Sequence, residues 1–259
     1  MDFGSGVTCP SFRHHPSTIA QAAATQEYMT PGRFWLGLGT GELLNEHVVG
    51  TYWQEPHIRV KMLQEATEMI KKLFTGEVVK HEGVFFGMDR VRLWTVPERP
   101  PPIYIGTAGP YVAKWAGEYC DGIIVTSGSS KKLSILLESF SQGAKKTGKD
   151  AKKMMKIIQV HLSWAETDEE ALQNALREWP NGGMPFPKSD IKNPEDFQSM
   201  AKLVRPEDFK GRVFISSDIE AHRKHIQEFV NMGFDRVYVH NVGKNQDEFI
   251  REFSIDNSW

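Results

Sequence analysis

The sequence predicts a parallel α/β fold of the (β/α) barrel type. Three observations carry that expectation. Short apolar runs recur along the chain, each is followed by an Ala-rich or amphipathic helical segment, and Gly, Thr and Ser gather where the runs end. Strands alternating with helices in this way pair in parallel, because the connecting helix returns the chain to the same sheet edge.

The elements follow in order. Gly4 to Cys9 contains Val7 and ends at Pro10, which suits a buried strand breaking into a loop. The Ala-rich run from Ser17 to Gln26 has strong helix propensity, with Ser17 as its N-cap. Pro31-Gly32 stops it, and Phe34 to Gly39 reads as a strand buried on both faces. Val60, Leu63, Ala66, Ile70 and Leu73 recur at helical spacing and predict a helix over His57 to Phe74. Glu77 to Phe86 reads as a hairpin turning near Glu82-Gly83.

Strands are then expected at Ile103 to Gly106, Gly122 to Thr126, Ile157 to Trp164, Val213 to Ile215 and Arg236 to His240. Helices are expected at Tyr111 to Tyr119, Lys131 to Lys146, Asp168 to Trp179, Asp218 to Met232 and Asp247 to Phe253. A Pro- and Gly-rich insertion occupies about 180–206, and residues 1–259 are read as a single domain. About six core strands emerge, whereas a closed barrel of this type has eight.

Composition narrows the function. Thirty-one basic residues against 33 acidic ones leave a net charge of −2, which favours neither nucleic acid nor an anionic membrane. Cys9 and Cys120 stand far apart, so neither a disulfide framework nor a zinc site is expected, and the setting reads as reducing and cytoplasmic. No apolar stretch approaches the ~20 residues that span a bilayer.

In parallel α/β folds ligands sit at the carboxyl ends of strands. Four loops occupy such positions: Cys9 to Pro16, Gly39 to Glu46, Gly106 to Pro110 and Thr126 to Ser129. Three of them combine Gly with Thr or Ser before a helix, exposing backbone N–H groups to an anion or to ring carbonyls. Each taken singly is also ordinary turn chemistry. Glu42 is the best candidate for proton chemistry, its alternative readings being a helix cap or an ion-pair partner. His14-His15 could line a pocket or be solvated, and no metal-ligand spacing occurs. Trp35 and Trp115 read as core aromatics, Lys131-Lys132 as a solvated helix start, and Arg212 as an anion contact or a surface ion pair.

Four segments then occur in one order: Thr8 to Pro16, the Thr40-Gly41-Glu42-Leu43-Leu44-Asn45-Glu46 loop, Ala108-Gly109-Pro110, and Asp121 to Gly128. Together they resemble the coenzyme F420-dependent glucose-6-phosphate dehydrogenase group of the luciferase-like superfamily. The resemblance implies that Cys9, Thr40, Gly41, Asn45, Ala108, Gly109, Tyr111 and Val112 contact F420, that Glu42 is the catalytic carboxylate, and that Thr126 and Arg212 face the substrate. It further implies a bulge near Gly6-Val7 carrying a non-prolyl cis peptide and a small-molecule substrate, while the apolar strand edges that a partial barrel would expose predict oligomerisation, read as a homodimer.

Two departures from the family pattern shape the expectation. Family members begin with two further β/α units, which supply a cofactor contact and the catalytic His, and their absence predicts weakened cofactor binding and low or absent turnover. Ser129 and Ser199 stand where the glucose-6-phosphate enzymes use lysines, so another alcohol or carbonyl substrate is expected. Alternatives from the same resemblance are an FMN-dependent monooxygenase and a non-catalytic cofactor-binding subunit.

Overall fold

A computed structural model describes residues 1–186 and 188–254, so Pro187 of the expected insertion lies outside the described residues. The elements run β1 (Phe3–Gly4), α1 (Pro16–Met29), β2 (Phe34–Leu38), α2 (Leu43–Glu46), α3 (Pro56–Leu73), β3 (Val79–Glu82), β4 (Gly87–Val91), β5 (Ile103–Gly106), α4 (Pro110–Tyr119) and β6 (Gly122–Thr126). They continue with α5 (Ser130–Lys146), β7 (Met155–Trp164), α6 (Asp168–Glu178), α7 (Pro194–Ala201), β8 (Phe214–Ser216), α8 (Ile219–Asn231), β9 (Arg236–Asn241) and α9 (Gln246–Ser254). The chain divides into two compact units.

The first unit comprises Met1–Ile124 and Glu138–Met154. Its parallel sheet has the order β1-β2-β5-β6, with Phe3 opposite Phe34, Leu36 opposite Ile103 and Tyr104 opposite Gly122. Ile103, Ile105 and Ile123 are essentially sealed from water, each contributing roughly 1.5–3 kcal/mol through burial. On α3, Met62, Leu63, Ala66, Met69, Ile70 and Leu73 recur every three or four residues and form the buried face.

Helices α4 and α5 meet through small residues. A Cβ at Gly117 would collide with the Phe140 carbonyl oxygen, and one at Gly143 with the Lys114 carbonyl oxygen. Gly117→Val is therefore expected to destabilise the protein by about 2–4 kcal/mol, read from the urea unfolding midpoint. An unchanged midpoint would show that the two helices can part freely.

The second unit comprises Val125–Leu137 and the chain from Met155 onward. Here β7 pairs in parallel with β9 along Ile157–Leu162 and with β8 along Leu162–Trp164. Leu162, Trp164, Ile226 and Phe249 form one apolar cluster, and Ala175, Phe209, Val213 and Val242 another. Thr167 caps α6 by accepting from the Glu170 N–H, and Asp218 caps α8 through the Glu220 and Ala221 N–H groups.

Several expectations are corrected. Four parallel strands in the first unit and three in the second exceed the expected count of about six among the described residues. The opening strand is only Phe3–Gly4 and is exposed, because the backbone leaves the ladder and returns at Thr8, which bridges to Leu38. His15, not Ser17, occupies the N-cap of α1, its Nδ1 accepting from the Ser17 N–H at 3.2 Å. The hairpin turns over residues 83–86 rather than at 82–83. The Glu65 carboxylate of α3 accepts from the N–H groups of Val84, Phe85 and Phe86, which moves the second strand to Gly87–Val91. Within the insertion, α7 and a short 3₁₀ turn at Pro180–Gly182 form where no regular structure was expected, and a second 3₁₀ turn, Pro206–Phe209, begins at its end.

Candidate functional site

The first unit assembles its candidate site at the carboxyl ends of β1, β2 and β5. The Gly6–Val7 peptide is cis, as the resemblance implied. Val7 is 42% exposed and lies across two glycines. A Cβ at Gly39 would stand 2.5 Å from Val7 Cγ2, and one at Gly106 would stand 3.1 Å from Val7 Cγ1. Glycine at Gly39, and the tight space at Gly106, make room for the Val7 side chain, which forms an apolar ledge there.

Around the ledge stand the residues expected from sequence. Thr40 and Gly41 are half-buried, and Gly41 has φ +76°, the left-handed region that favours glycine. A Cβ at Gly41 would also stand 2.5 Å from the Cys9 Sγ. Cys9 is buried, and burial together with the nearby Glu46 charge pushes its thiol up to about 12, so it is a neutral S–H at ordinary pH.

Glu42 sits at the N-cap position of α2 with φ −136° and is exposed. Its side chain makes no cap hydrogen bond, so the cap reading fails. Among the described residues no ion pair engages it either, and the residue is exposed beside the ledge loop. Asn45 is likewise exposed, one turn along.

The third loop adds backbone donors. Gly109 caps α4 without a side chain, Pro110 opens the helix, and the first-turn N–H groups of Tyr111 and Val112 meet no side-chain cap among the described residues. Thr107 Oγ1 accepts from the Gly109 N–H at 3.3 Å and shapes that turn. Ala108 and Tyr111 are exposed. An apolar ledge, a neutral thiol, a positive-φ glycine turn and an open helix N-terminus fit a flat heteroaromatic ring carrying a phosphorylated chain. No group of three metal-ligating side chains occurs among the described residues.

Sequence reasoning missed Glu46. Its Oε2 accepts from Ser11 Oγ at 2.5 Å, and its Oε1 accepts from Arg13 Nε at 3.2 Å and Nη2 at 3.0 Å. The carboxylate is buried and ties the first loop to the second. A small cavity of about 30 Å³ lies beside this tie, lined by Cys9, Ser11, Thr40, Glu46 and Arg59 among others. His15 packs edge-on against Phe86 and serves α1, so of the His14-His15 pair only His14 is exposed.

Trp115 is not core. It is half-buried and lines a surface groove with Tyr111, Lys114 and Tyr119, because its face of α4 points away from the sheet. Trp35 is buried as expected, packed against Tyr104.

In the second unit, Thr126 is exposed at the end of β6, and Lys131-Lys132 begin α5 exposed. Among the described residues Arg212 makes no ion pair; its guanidinium donates to the Met184 carbonyl, a neutral acceptor the insertion supplies. Ser199 donates to Glu195 O within α7, and Ser129 is exposed.

The same unit holds an unforeseen pair, His161 on β7 and His240 on β9. They face each other in register with Nδ1 atoms 3.0 Å apart, and Trp179 packs against both rings. Burial, then His240 and Lys188, lowers the His161 pKa from 6.5 to about 4, and burial also lowers that of His240. The unfolded chain therefore takes up protons first on acidification. The pair's contribution to stability is complete above pH 6.5 and is lost as pH falls towards about 4. Urea midpoints are expected to fall across that window, and less steeply in His161→Gln; parallel pH profiles would exclude the pair as the cause.

Fold and site together define a parallel α/β protein with an apolar ledge at its strand ends. The luciferase-like monooxygenase family model matches residues 1–236, and the chain belongs to that family. It is 35% identical over 256 residues to the F420-dependent glucose-6-phosphate dehydrogenase of Kribbella flavida, covering 98% of this chain and 77% of that protein. Identity to the enzyme of that name from Kineococcus radiotolerans is 35% over 258 residues, covering 99% and 77%. Among solved structures, an F420-dependent secondary alcohol dehydrogenase in complex with an F420-acetone adduct superposes with a TM-score of 0.91 at 27% identity, covering 98% of this chain and 77% of that one. The F420-dependent tetrahydromethanopterin reductase of Methanopyrus kandleri shares the fold, with a TM-score of 0.77 at 19% identity, covering 96% and 80%.

Proposed function

We propose that this chain is an F420-dependent oxidoreductase acting on an alcohol or carbonyl compound other than glucose 6-phosphate. The observation that carries the reading is the Val7 ledge: a cis Gly6–Val7 peptide seated over Gly39 and Gly106, with Thr40-Gly41 and the open N-terminus of α4 beside it. Relatives named for F420 across nearly the whole chain support that cofactor over FMN.

When bound, the deazaflavin supplies the carbon that accepts or donates hydride. Val7 and the neutral Cys9 would bear on its ring, Thr40, Gly41 and Asn45 would orient its edge, and the Tyr111 and Val112 N–H groups would hold its phosphate. Glu42, an exposed residue whose carboxylate has no ion-pair partner among the described residues, would exchange the proton of the substrate hydroxyl.

The substrate side supports a neutral compound. Ser129 and Ser199 bring no ammonium group, and Arg212 is engaged by the Met184 carbonyl. A homodimer in the cytoplasm is the setting proposed with this activity. The test is a turnover assay of purified protein with F420, comparing secondary alcohols with glucose 6-phosphate. Reduction of F420 by an alcohol alone supports the reading, and preference for glucose 6-phosphate overturns the substrate assignment.

A further inference from the structure

We propose that Glu46 is a positioning residue that clamps the two ledge loops together so that both present their cofactor contacts at once. This rests on the F420 reading and adds a residue that does not itself reach the ledge.

The geometry is specific. Ser11 and Arg13 belong to the loop that supplies Cys9, and Glu46 ends the turn that follows Thr40, Gly41 and Glu42. Sequence separations of 35 and 33 residues are closed by three hydrogen bonds to one carboxylate. The Glu46 side chain is only 7% exposed, and these donors compensate the burial that an unpaired carboxylate would find costly.

Two backbone features make the clamp act on the reactive side. The N–H groups of Asn45 and Glu46 both donate to the Glu42 carbonyl, at 3.0 and 3.1 Å, so fixing Glu46 fixes the turn that starts at Glu42. A Cβ at Gly41 would stand 3.3 Å from Glu46 Cγ and 2.5 Å from Cys9 Sγ, so that glycine is held between the two loops. Loops held in place before binding avoid an ordering cost at binding. The Glu46 charge also helps to hold the Cys9 thiol protonated beside the ledge.

The experiment uses the full chain with Glu46→Gln, Ser11→Ala and the double variant, titrated with F420 by fluorescence. Each single variant is expected to raise Kd at least tenfold, and the double variant no more than the worse single one, because both break one clamp. Wild-type affinity in Glu46→Gln, or strictly additive effects, would overturn the proposal.

Iodoacetamide labelling across alkaline pH gives a readout free of cofactor. In Glu46→Gln, Cys9 should label faster and from a lower pH, while Cys120 serves as the internal reference. An unchanged Cys9 profile would also count against the clamp. Should Glu46→Gln fail to fold, Ser11→Ala carries the F420 titration with the same expected sign, whereas its Cys9 labelling should begin at a higher pH, because the Ser11 hydroxyl holds the thiol pKa down while the Glu46 charge raises it; an unchanged affinity in Ser11→Ala would then overturn the clamp. Failure of wild-type protein to bind F420 would instead overturn the cofactor reading, leaving the labelling result to decide the clamp.

Discussion

Replacing Glu42 by Gln is expected to lower turnover by about 10²–10³-fold while leaving F420 affinity within roughly twofold of wild type, the range of a lost general base. The residue is exposed, lies at an N-cap position without capping the turn, and forms no ion pair among the described residues. Its removal should therefore disturb neither packing nor the ledge. Single-turnover reduction of bound F420 by an alcohol separates the two quantities. A Glu42→Gln protein that loses affinity instead of rate would make this side chain a binding group and remove the proton role.

Gly41→Val is expected to abolish F420 binding and to destabilise the fold by roughly 2–4 kcal/mol. Two effects combine at this position. A β-branched residue is a poor occupant of φ +76°, and its Cβ would press on the Cys9 Sγ at 2.5 Å, with the Glu46 Cγ close behind. Neither loop can yield without breaking the bonds that join Glu46 to Ser11 and Arg13. Calorimetry and F420 titration on one preparation check the prediction. Wild-type affinity in a fully folded Gly41→Val protein would show that the turn is not part of the site.

Local signals explain what the sequence made legible. Apolar runs such as Ile103 to Gly106 and Gly122 to Thr126, and helical spacing such as that from Val60 to Leu73, place strands and helices to within a residue or two. The glycine-bearing loops at their ends were visible for the same reason, and the implied cis peptide stands at Gly6–Val7. What stayed hidden depends on partners distant in sequence. Glu46 differs from any exposed helical Glu only through Ser11 and Arg13, and the hairpin turn shifted because Glu65 reaches it from another element. His161 and His240 meet only once β7 and β9 pair. Trp115 was misread because apolar character alone cannot tell a sheet-facing helix position from one lining a groove.

The central claim is that the Val7 ledge and its loops form a deazaflavin site. A fluorescence titration of the purified chain with F420, with FMN in parallel, tests it most directly. The account predicts saturable binding of F420 with at least tenfold weaker binding of FMN; FMN binding as tightly, or a folded protein that binds neither, would contradict it.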